Sequence, residues 1–441
     1  MNVGVFGLGY VGLVSGVILA SKGNKVFGFE LDEQRRNSLK EGHAGLYEPG
    51  LEEMYHTAFS EGLFQIVDGQ PSKALDVIFI CVGTPDDNGD VDLSQVAGCV
   101  GMIAQLVDFK TGYPVVVLKS TCPPGTTETL IVSELEKLTG SKMGEDFGVA
   151  MNPEFLRQGS ALSDALNPDR IVLGTEDRRS LAVLQQLYSE FDCPKLCMSF
   201  RNAEMTKYVA NSFFASLVSL ANEFGSVFEQ GEGFNEATIM DAVLHDRRFS
   251  SVGEERAGVV SYFRAGPGFG GSCFPKDLNA LSAYLLGQGI SAPLLTEVIK
   301  TNNNRSSQIM DNANRLFGSF LGKKVLVLGL GFKEGTADLR GSPGLRLIEL
   351  LLKQGANVKG CDPLSDSPFG LTHFESLSEA LSDGADTIFI VNSLSSGLVQ
   401  ELLDSCGESA RYNIYDLRGT LDPEVLPVGI NYAAVGTSIK R

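Results

Sequence analysis

The chain has only four histidines and eight cysteines among 441 residues, no tryptophan, and no cluster of basic residues. The cysteines (81, 99, 122, 193, 197, 273, 361 and 406) are scattered. Only Cys193 and Cys197 are close enough to suggest a metal-binding pair. No second half follows that pair, which argues against a structural zinc, and reduced core or surface thiols are expected. The formal net charge is −18 with no basic patch to offset it, which argues against nucleic acid and anionic membranes as partners. An anionic ligand would have to be held by local amides and a few placed cations. No apolar run reaches the roughly 20 residues needed to cross a bilayer. The opening MNVGVFGLGYVGLVSGVILA comes nearest, but it lacks a basic leader and carries five glycines. It reads as a buried strand, a turn and a helix, and a cytoplasmic location is expected. With 43% hydrophobic residues and only 17 prolines, the chain is too apolar for disorder and long enough for two or three domains.

What is present has an order. VGVFGLG, YVGLVSGVILASKG and KVFGFE read as strand, glycine turn, helix and strand, the first βαβ unit of a doubly wound sheet. Apolar runs at 76–83, 114–121, 147–154 and 170–175 extend it, and helix-length segments between most of them imply a parallel sheet with both faces covered. From Asn202 to Gln230 the pattern becomes one long helix without proline. Helical spacing continues through EATIMDAVL, KDLNALSAYLLGQG and LLTEVIKTNNNRSSQIMDNANRLFGSFLG. At Lys323 the first pattern returns in KKVLVLGLGF, PGLRLIELLLKQG, NVKGCDP, ADTIFIVNS and RYNIYDLRG. The fold class expected is α/β: two doubly wound Rossmann-like domains, 1–200 and 316–441, joined by an all-helical domain at 201–315. The middle helices are also the expected face of a homodimer.

Gly7, Gly9 and Gly12 form G-x-G-x-x-G between strand and helix, and the next strand ends in Glu30, 18 positions past the third glycine. The glycines permit a tight turn and close backbone approach to a pyrophosphate, whose charge meets the helix amino terminus. The acid suits ribose hydroxyls and favours NAD over NADP, since it would repel a 2′-phosphate. The second turn, GLGFK at 329–333, lacks the third glycine. It fits either a doubly wound domain that binds nothing or a phosphate site with Lys333 as its charge.

In AGPGFGGSCFPKD, residues 265–277, four glycines precede Cys273, and Lys276 and Asp277 follow it. Metal binding fails for want of partners, which leaves a reactive thiol or an inert small residue. A nearby lysine would lower the thiol pKa, and Asp277 would hold that lysine or a water. Lys207 and Asn211, four apart on the long helix, share a face and suit an oxyanion. Flanking Tyr208 and Phe213 suggest that this face is partly buried. Glu154, in MNPEFLRQG, and Thr121 with Pro123, in KSTCPPGT, stand at strand ends where ligands of doubly wound sheets sit. A thiol, a carboxylate, a cation and NAD together suit oxidation through a thioester.

These residues closely resemble the nucleotide-sugar dehydrogenases that oxidise UDP-glucose or GDP-mannose to the uronic acid. The resemblance runs through GLGYVG (7–12), EPGLE (48–52), CVGTP (81–85), KSTCPPGT (119–126), NPEFLRQG (152–159), NPDRIVLG (167–174), AEMTKYVANSFFA (203–215), GFGGSCFPKD (268–277) and GLGFKEGTADLRGSP (329–343). It is nearest to the UDP-glucose enzymes, and GFGGSCFPKD is unlike the loop of relatives that act on UDP-N-acetylhexosamines. The resemblance implies a cytoplasmic, NAD-dependent four-electron oxidation at C6, supplying uronic acid for polysaccharide. Cys273 would carry a thiohemiacetal and then a thioester. Lys207 and Asn211 would steady the oxyanion, Glu154 would assist hydrolysis, and Thr121 and Asp277 would position water. It implies NAD contacts from Gly7, Gly9, Tyr10, Val11, Gly12, Glu30, Arg35, Gly83, Thr84, Thr121, Lys276 and Arg340. It implies sugar-nucleotide contacts from Glu154, Phe155, Leu156, Lys207, Asn211, Tyr262, Phe263, Arg264, Gly270, Phe332 and Lys333.

The sequence departs from the family pattern in places. Gln158 stands where glutamate is usual, GLGFK replaces GLAFK, and TADLR replaces TDDxR. A Thr-Trp pair of the last domain is replaced near Val391–Ser393. The link at 245–266 is long, and among Arg247, Arg248 and Arg256 it is Arg248 that is expected to reach a neighbouring subunit's sugar.

Overall fold

The computed structural model describes residues 1–87, 89–231, 233–250, 257–365, 368–405 and 412–437. Two units, Met1–Ala210 and Asn211–Arg441, each have their own core.

In the first unit, short runs of branched and aromatic residues become strands because both faces of each are covered. These are β1 (Asn2–Phe6), β2 (Lys25–Phe29), β3 (Phe64–Ile66), β4 (Val77–Ile80), a two-residue hairpin of β5 (Asp86–Asp87) and β6 (Asp90–Val91), then β7 (Val115–Leu118), β8 (Gly148–Met151), β9 (Ile171–Gly174) and β10 (Lys195–Met198). The main sheet has the order β10-β9-β8-β7-β4-β1-β2-β3. Side chains alternate between its two faces. Val3, Val5, Phe79 and Val117 pack with Val14 and Val17 of the helix Tyr10–Ser21. Phe6, Ile78, Ile80 and Leu118 pack with Val96, Val100 and Ile103 of the helix Ser94–Leu106.

The expectation of a parallel sheet holds from β3 to β8, but β9 meets β8 antiparallel at Met151 and Gly174. Side chains take over where that ladder is short: Asn152 Nδ2 donates to the Val172 carbonyl at 2.8 Å, and Thr175 Oγ1 to that of Val149 at 2.9 Å. Strands β3 and β10 are edge strands with exposed positions, and no apolar run announces them in the sequence.

The helix Phe200–Gln230 begins in the first unit and ends in the second. Its Glu204 is fully buried and accepts from Gly125 N at 2.5 Å and from Thr127 N and Oγ1 at 2.7 Å each. That clamp ties the turn after β7 to the first turns of the long helix. Burial raises the Glu204 pKa even though these hydrogen bonds favour the anion.

In the second unit, β11 (Lys324–Leu328), β12 (Asn357–Cys361), β13 (Thr372–Phe374), β14 (Thr387–Ile390), β15 (Asn413–Asp416) and β16 (Asn431–Ala434) form one parallel sheet, ordered β13-β12-β11-β14-β15-β16. The helix Glu236–Leu244 coincides with its expected segment, while Phe274–Gly287 and Pro293–Phe317 begin two residues and one residue ahead of theirs. Gly318, at φ +82°, ends the last one.

The glycine absent from the second turn is present farther along the chain. A Cβ on Gly344 would lie 2.8 Å from the Gly329 carbonyl, just as one on Gly12 would lie 1.9 Å from that of Gly7. Both glycines let a helix approach the turn that precedes it. In the second sheet a loop spanning 331–342 separates turn from helix, and this is why G-x-G-x-x-G fails there.

Arg305, on the helix Pro293–Phe317, has no exposed surface. Its guanidinium donates to the Gly266 carbonyl at 2.9 Å, Ser226 Oγ at 2.9 Å and Glu229 Oε1 at 3.0 Å. Glu229 Oε1 also accepts from Gly436 N at 3.0 Å. Arg305→Met leaves a buried carboxylate without its cation, and a loss of about 3 kcal/mol is expected. Urea unfolding followed by far-ultraviolet circular dichroism reads this as a lower midpoint.

Candidate active site

In the first unit the glycine turn is arranged as a cradle. Gly7 sits at φ +87°, where a Cβ would come within 2.9 Å of the Cys81 carbonyl. A Cβ on Gly9 would meet nothing within 4 Å, so that face is open to a ligand. The helix Tyr10–Ser21 follows with no side chain capping it, leaving the first-turn amides, including those of Tyr10 and Val11, for an anion. Glu30 closes one side of the turn. Its carboxylate accepts from Leu8 N at 3.0 Å, Leu31 N at 2.8 Å and Asp32 N at 3.0 Å, while Arg35 Nε donates to the Leu8 carbonyl at 2.7 Å. The Tyr10 hydroxyl donates to Glu48, whose carboxylate also takes Gly159 N at 2.8 Å and Ala161 N at 2.7 Å. Burial and then Glu48 push the Tyr10 phenol well above its ordinary range. Thr84 Oγ1 donates to the Thr121 carbonyl at 2.9 Å, which brings the strand ends after β4 and β7 together beside Gly83. An open glycine face, free helix amides and an anchored acid fit a dinucleotide.

Just past β8, Glu154 Oε1 accepts from Lys207 Nζ at 3.0 Å, with side chains 10% and 4% exposed. Glu154 Oε2 accepts from Leu156 N at 2.6 Å. The Phe155 ring lies 4.1 Å from the Arg170 guanidinium and 5.4 Å from Lys207 Nζ.

In the second unit, Cys273 caps the helix Phe274–Gly287 and is exposed. The residue sits at the positive end of that helix. Ser272 Oγ lies 3.7 Å from Sγ. Asp277 is 1% exposed, and its carboxylate accepts from Asn211 Nδ2 at 2.5 Å and from Lys276 Nζ at 2.7 Å. Asp277 therefore does hold the lysine. Arg340 forks onto Asp338 at 2.9 and 2.6 Å.

The glycine loop is fixed by side chains that sequence reasoning missed. Asn302 makes both hydrogen bonds to the Phe269 backbone, at 2.8 and 3.0 Å, as a neighbouring strand would. Asn222 Oδ1 accepts from Gly266 N at 2.7 Å. Asn302 and Arg305 lie in TNNNRSS, which reads as a solvated stripe, and nothing in the spacing shows that it faces a loop. The glycines also have a second reason to be there besides ligand approach. A Cβ on Gly270 would lie 2.2 Å from the Gly341 carbonyl, and one on Gly271 would lie 2.9 Å from the Phe332 ring. Gly271 N donates to the Arg340 carbonyl at 2.8 Å. The 331–342 loop thus packs directly on the cysteine loop.

Lys333 lines a cavity of about 440 Å³ at the carboxyl ends of β11, β12 and β14, with Gly329, Asp362, Asn392 and Ser395. Asp362 repeats the role of Glu30, accepting from Leu330 N at 2.7 Å and Gly331 N at 3.1 Å. Its signal was legible: an acid ending the second strand of a doubly wound unit.

The remaining residues are spread out. Tyr262 stacks on Phe214 with ring centroids 4.7 Å apart, and Phe263 meets Phe249 edge-on at 5.4 Å. Arg264 pairs with Asp241 at 2.5 Å and Glu236 at 3.4 Å. Arg248 is exposed and paired with Asp246 at 2.7 Å. Arg247 is exposed, and Arg256 lies outside the described residues. Tyr208 is buried as expected, but Phe213 is 56% exposed, so it gives no support to a buried face. Among the described residues, no His, Cys, Asp and Glu group is arranged to hold a metal.

Residues 1–192 match the NAD binding domain, 201–304 the central domain and 326–423 the UDP binding domain of one family. The chain belongs to the UDP-glucose/GDP-mannose dehydrogenase family. As a member of it, the protein is an NAD-dependent nucleotide-sugar 6-dehydrogenase. It is 38% identical to the UDP-glucose 6-dehydrogenase TuaD of Bacillus subtilis over 82% of this chain and 76% of that one. It is 36% identical to the GDP-mannose 6-dehydrogenase of Pseudomonas syringae over 81% and 80%. The solved UDP-glucose dehydrogenase of Pyrobaculum islandicum superposes with a TM-score of 0.85 at 32% identity, covering 99% of this chain and 98% of that one. Among the described residues, no helix of this dehydrogenase is long and apolar enough to cross a membrane.

The open face at Gly9 makes a clean test of the cofactor cradle. Gly9→Ala is expected to keep the melting temperature, because the methyl meets nothing. It should weaken NADH binding by about tenfold or more, read by cofactor fluorescence.

Proposed function

We propose that this dehydrogenase oxidises UDP-glucose at C6 to UDP-glucuronate through a thiohemiacetal and a thioester on Cys273. The observation that carries this is the exposed Cys273 thiol at a helix amino terminus, one turn from a buried Asp277 that Asn211 and Lys276 hold in place. NAD, held by the Gly7–Gly12 turn, Glu30, Thr84 and Thr121, supplies the acceptor for the hydride lost in each of the two oxidations.

The chain's own residues do the rest. The first oxidation leaves an aldehyde, and the Cys273 thiolate adds to its carbonyl carbon. The carbonyl electrons move to oxygen, which takes a proton while Lys207 and Asn211 stabilise the charge. Loss of the hydroxyl proton and of the C6 hydride then gives the thioester. Glu154 takes a proton from water as its oxygen attacks the thioester carbon, the C–S bond breaks, and the Cys273 thiolate departs. Thr121 and Asp277 position that water. Lys333 and Phe332, with the backbone near Gly270, hold the sugar nucleotide beside Phe155, Leu156 and Tyr262 to Arg264. Arg340 and Lys276 serve the cofactor and the charge beside the thiol. We assign these roles to a cytoplasmic enzyme with domains at 1–200, 201–315 and 316–441.

A relative that acts on GDP-mannose is almost as similar, so GDP-mannose is the second reading. NADH formation with UDP-glucose and with GDP-mannose separates the two. Absence of turnover with both, and with a panel of other sugar nucleotides, would instead leave a nucleotide-sugar-binding protein. Cys273→Ser is expected to release no uronic acid, and normal turnover by that variant would remove the thiol from the scheme. Glu154→Gln is expected to accumulate a covalent adduct on Cys273, detected by intact-protein mass spectrometry after acid quench.

The same reading includes a homodimer. Phe213, Leu220, Phe224 and Val227 make one exposed apolar stripe at helical spacing along the long helix, each 43% exposed or more. A second copy of this chain is the proposed cover, with Arg248 as the residue that crosses to its sugar. Phe224→Glu is expected to halve the mass found by light scattering, and a wild-type protein that already runs as a monomer would reject the dimer.

A further inference from the structure

Glu48 precedes the helix Leu51–Ser60 and is only 5% exposed, and the mechanism above gives it no part. Its carboxylate is nonetheless the meeting point of two loops. Oε2 accepts from the Tyr10 hydroxyl and from Gly159 N at 2.8 Å, while Oε1 accepts from Ala161 N at 2.7 Å. Burial raises the Tyr10 phenol, which therefore keeps its proton and is the donor. A buried carboxylate is costly unless hydrogen-bonded, and here a phenol and backbone amides satisfy it. Packing builds the place as well. Val14 and Val17 of the helix Tyr10–Ser21, Leu51 and Tyr55 of the helix Leu51–Ser60, and Ala161 belong to one buried cluster. A Cβ on Gly50 would lie 3.2 Å from the Leu162 side chain, so the EPGLE turn rests on the segment that follows Gly159.

The two ends of this link differ in kind. Tyr10 is the first residue of the helix after the glycine turn, the helix whose first-turn amides no side chain caps. A pyrophosphate bound there fixes the backbone of Tyr10. Gly159 stands five residues past Glu154, at φ +82°, a conformation that few side chains tolerate. The stretch between Glu154 and Gly159 carries Phe155 and Leu156. It is held to the sheet at its start, in the NPE turn at 152–154. There Asn152 Nδ2 donates to the Val172 carbonyl at 2.8 Å, and Asn152 Oδ1 accepts from Lys119 Nζ at 2.9 Å. At its other end the stretch is held by Glu48, and through Glu48 by the cofactor turn.

We propose that Glu48 is a positioning residue of the reaction, the link through which an occupied cofactor turn fixes the loop that carries Glu154, Phe155 and Leu156. This rests on the sugar-nucleotide contacts assigned to that loop under the proposed function. A ligand that orders the turn removes freedom from Tyr10, and the hydrogen bonds through Glu48 carry that restraint to Gly159 and Ala161. A sugar nucleotide then meets a loop that is already ordered and loses less entropy in binding, so each ligand tightens the other.

The test is hydrogen exchange read by mass spectrometry on the full chain, with ADP-ribose as the ligand. ADP-ribose fills the glycine turn but brings no nicotinamide to the Glu154 loop. In the wild type it is expected to slow exchange of the amides at 7–14 and, by about fivefold or more, those of Gly159 and Ala161. In Tyr10→Phe and in Glu48→Gln the protection at 7–14 should remain, while the slowing at 159–161 should fall below about twofold. Either variant suffices if the other does not fold or does not bind. A merely structural residue would raise exchange at Gly159 equally with and without ligand, leaving the ratio unchanged, and that result overturns the proposal. A wild type with no slowing at Gly159, or one whose turn ADP-ribose leaves unprotected, overturns it too. Calorimetry reads the consequence for the reaction. NADH should tighten binding of the sugar nucleotide that the wild type oxidises by about fivefold, and that factor should fall toward one in Tyr10→Phe. A factor unchanged in Tyr10→Phe counts against the link in the same way. If the wild type oxidises no sugar nucleotide, the proposed function fails, and the exchange experiment still decides the role of Glu48.

Discussion

A buried or half-buried carboxylate accepting backbone N–H groups is the interaction on which the loops of this chain depend. Glu30 holds the first glycine turn through Leu8 and the strand end through Leu31 and Asp32. Glu48 holds the segment after the NPE turn through Gly159 and Ala161, Glu204 holds the proline turn through Gly125 and Thr127, and Asp362 holds the second glycine turn. Asp416 repeats the device, taking Arg418 N and Leu421 N at 2.9 Å each. Backbone donors in loops have no ladder to satisfy them, and an anion is a stronger acceptor than a carbonyl. The net charge of −18 therefore does more than repel polyanions, since part of it sits inside as loop anchors.

Much of this was legible because it is periodic or local. Strands β1, β2, β4, β7 and β8 are apolar runs between turns, and the first glycine motif carries its strand, helix and acid in order. The residues around Cys273, and Lys207 with Asn211, declare themselves by chemical type and spacing. Long-range partnership was not legible. Glu48 lies 111 residues from Gly159, and no property of EPGLE points there. Asn302 and Arg305 look like surface residues of a polar helix until the loop they hold is seen beside them. The edge strands β3, β10, β13 and β16 each carry polar residues, because an edge has only one neighbour to pair with. The burial argued from Phe213 fails for a related reason: an aromatic residue on a helix marks an apolar face without saying what covers it.

The two sheets use one grammar with different punctuation. Each has a strand, a glycine at positive φ, an acid that returns to the turn, and a glycine that lets the following helix come close. In the first sheet the two glycines span six residues. In the second, the last glycine waits until position 344, and the loop so created carries Phe332, Lys333 and Arg340. One insertion supplies both a cation for the cavity and the surface against which the cysteine loop rests.

That resting contact constrains how this sequence can drift. The carbonyl of Gly341 occupies the place where a side chain at Gly270 would begin, and Gly341 itself sits at φ +60°, where few other residues are comfortable. A larger residue on either side has no slack to use, because Asn302 and Asn222 hold the cysteine loop from behind. The two stretches, about seventy residues apart in the chain, are therefore free to change only as a pair.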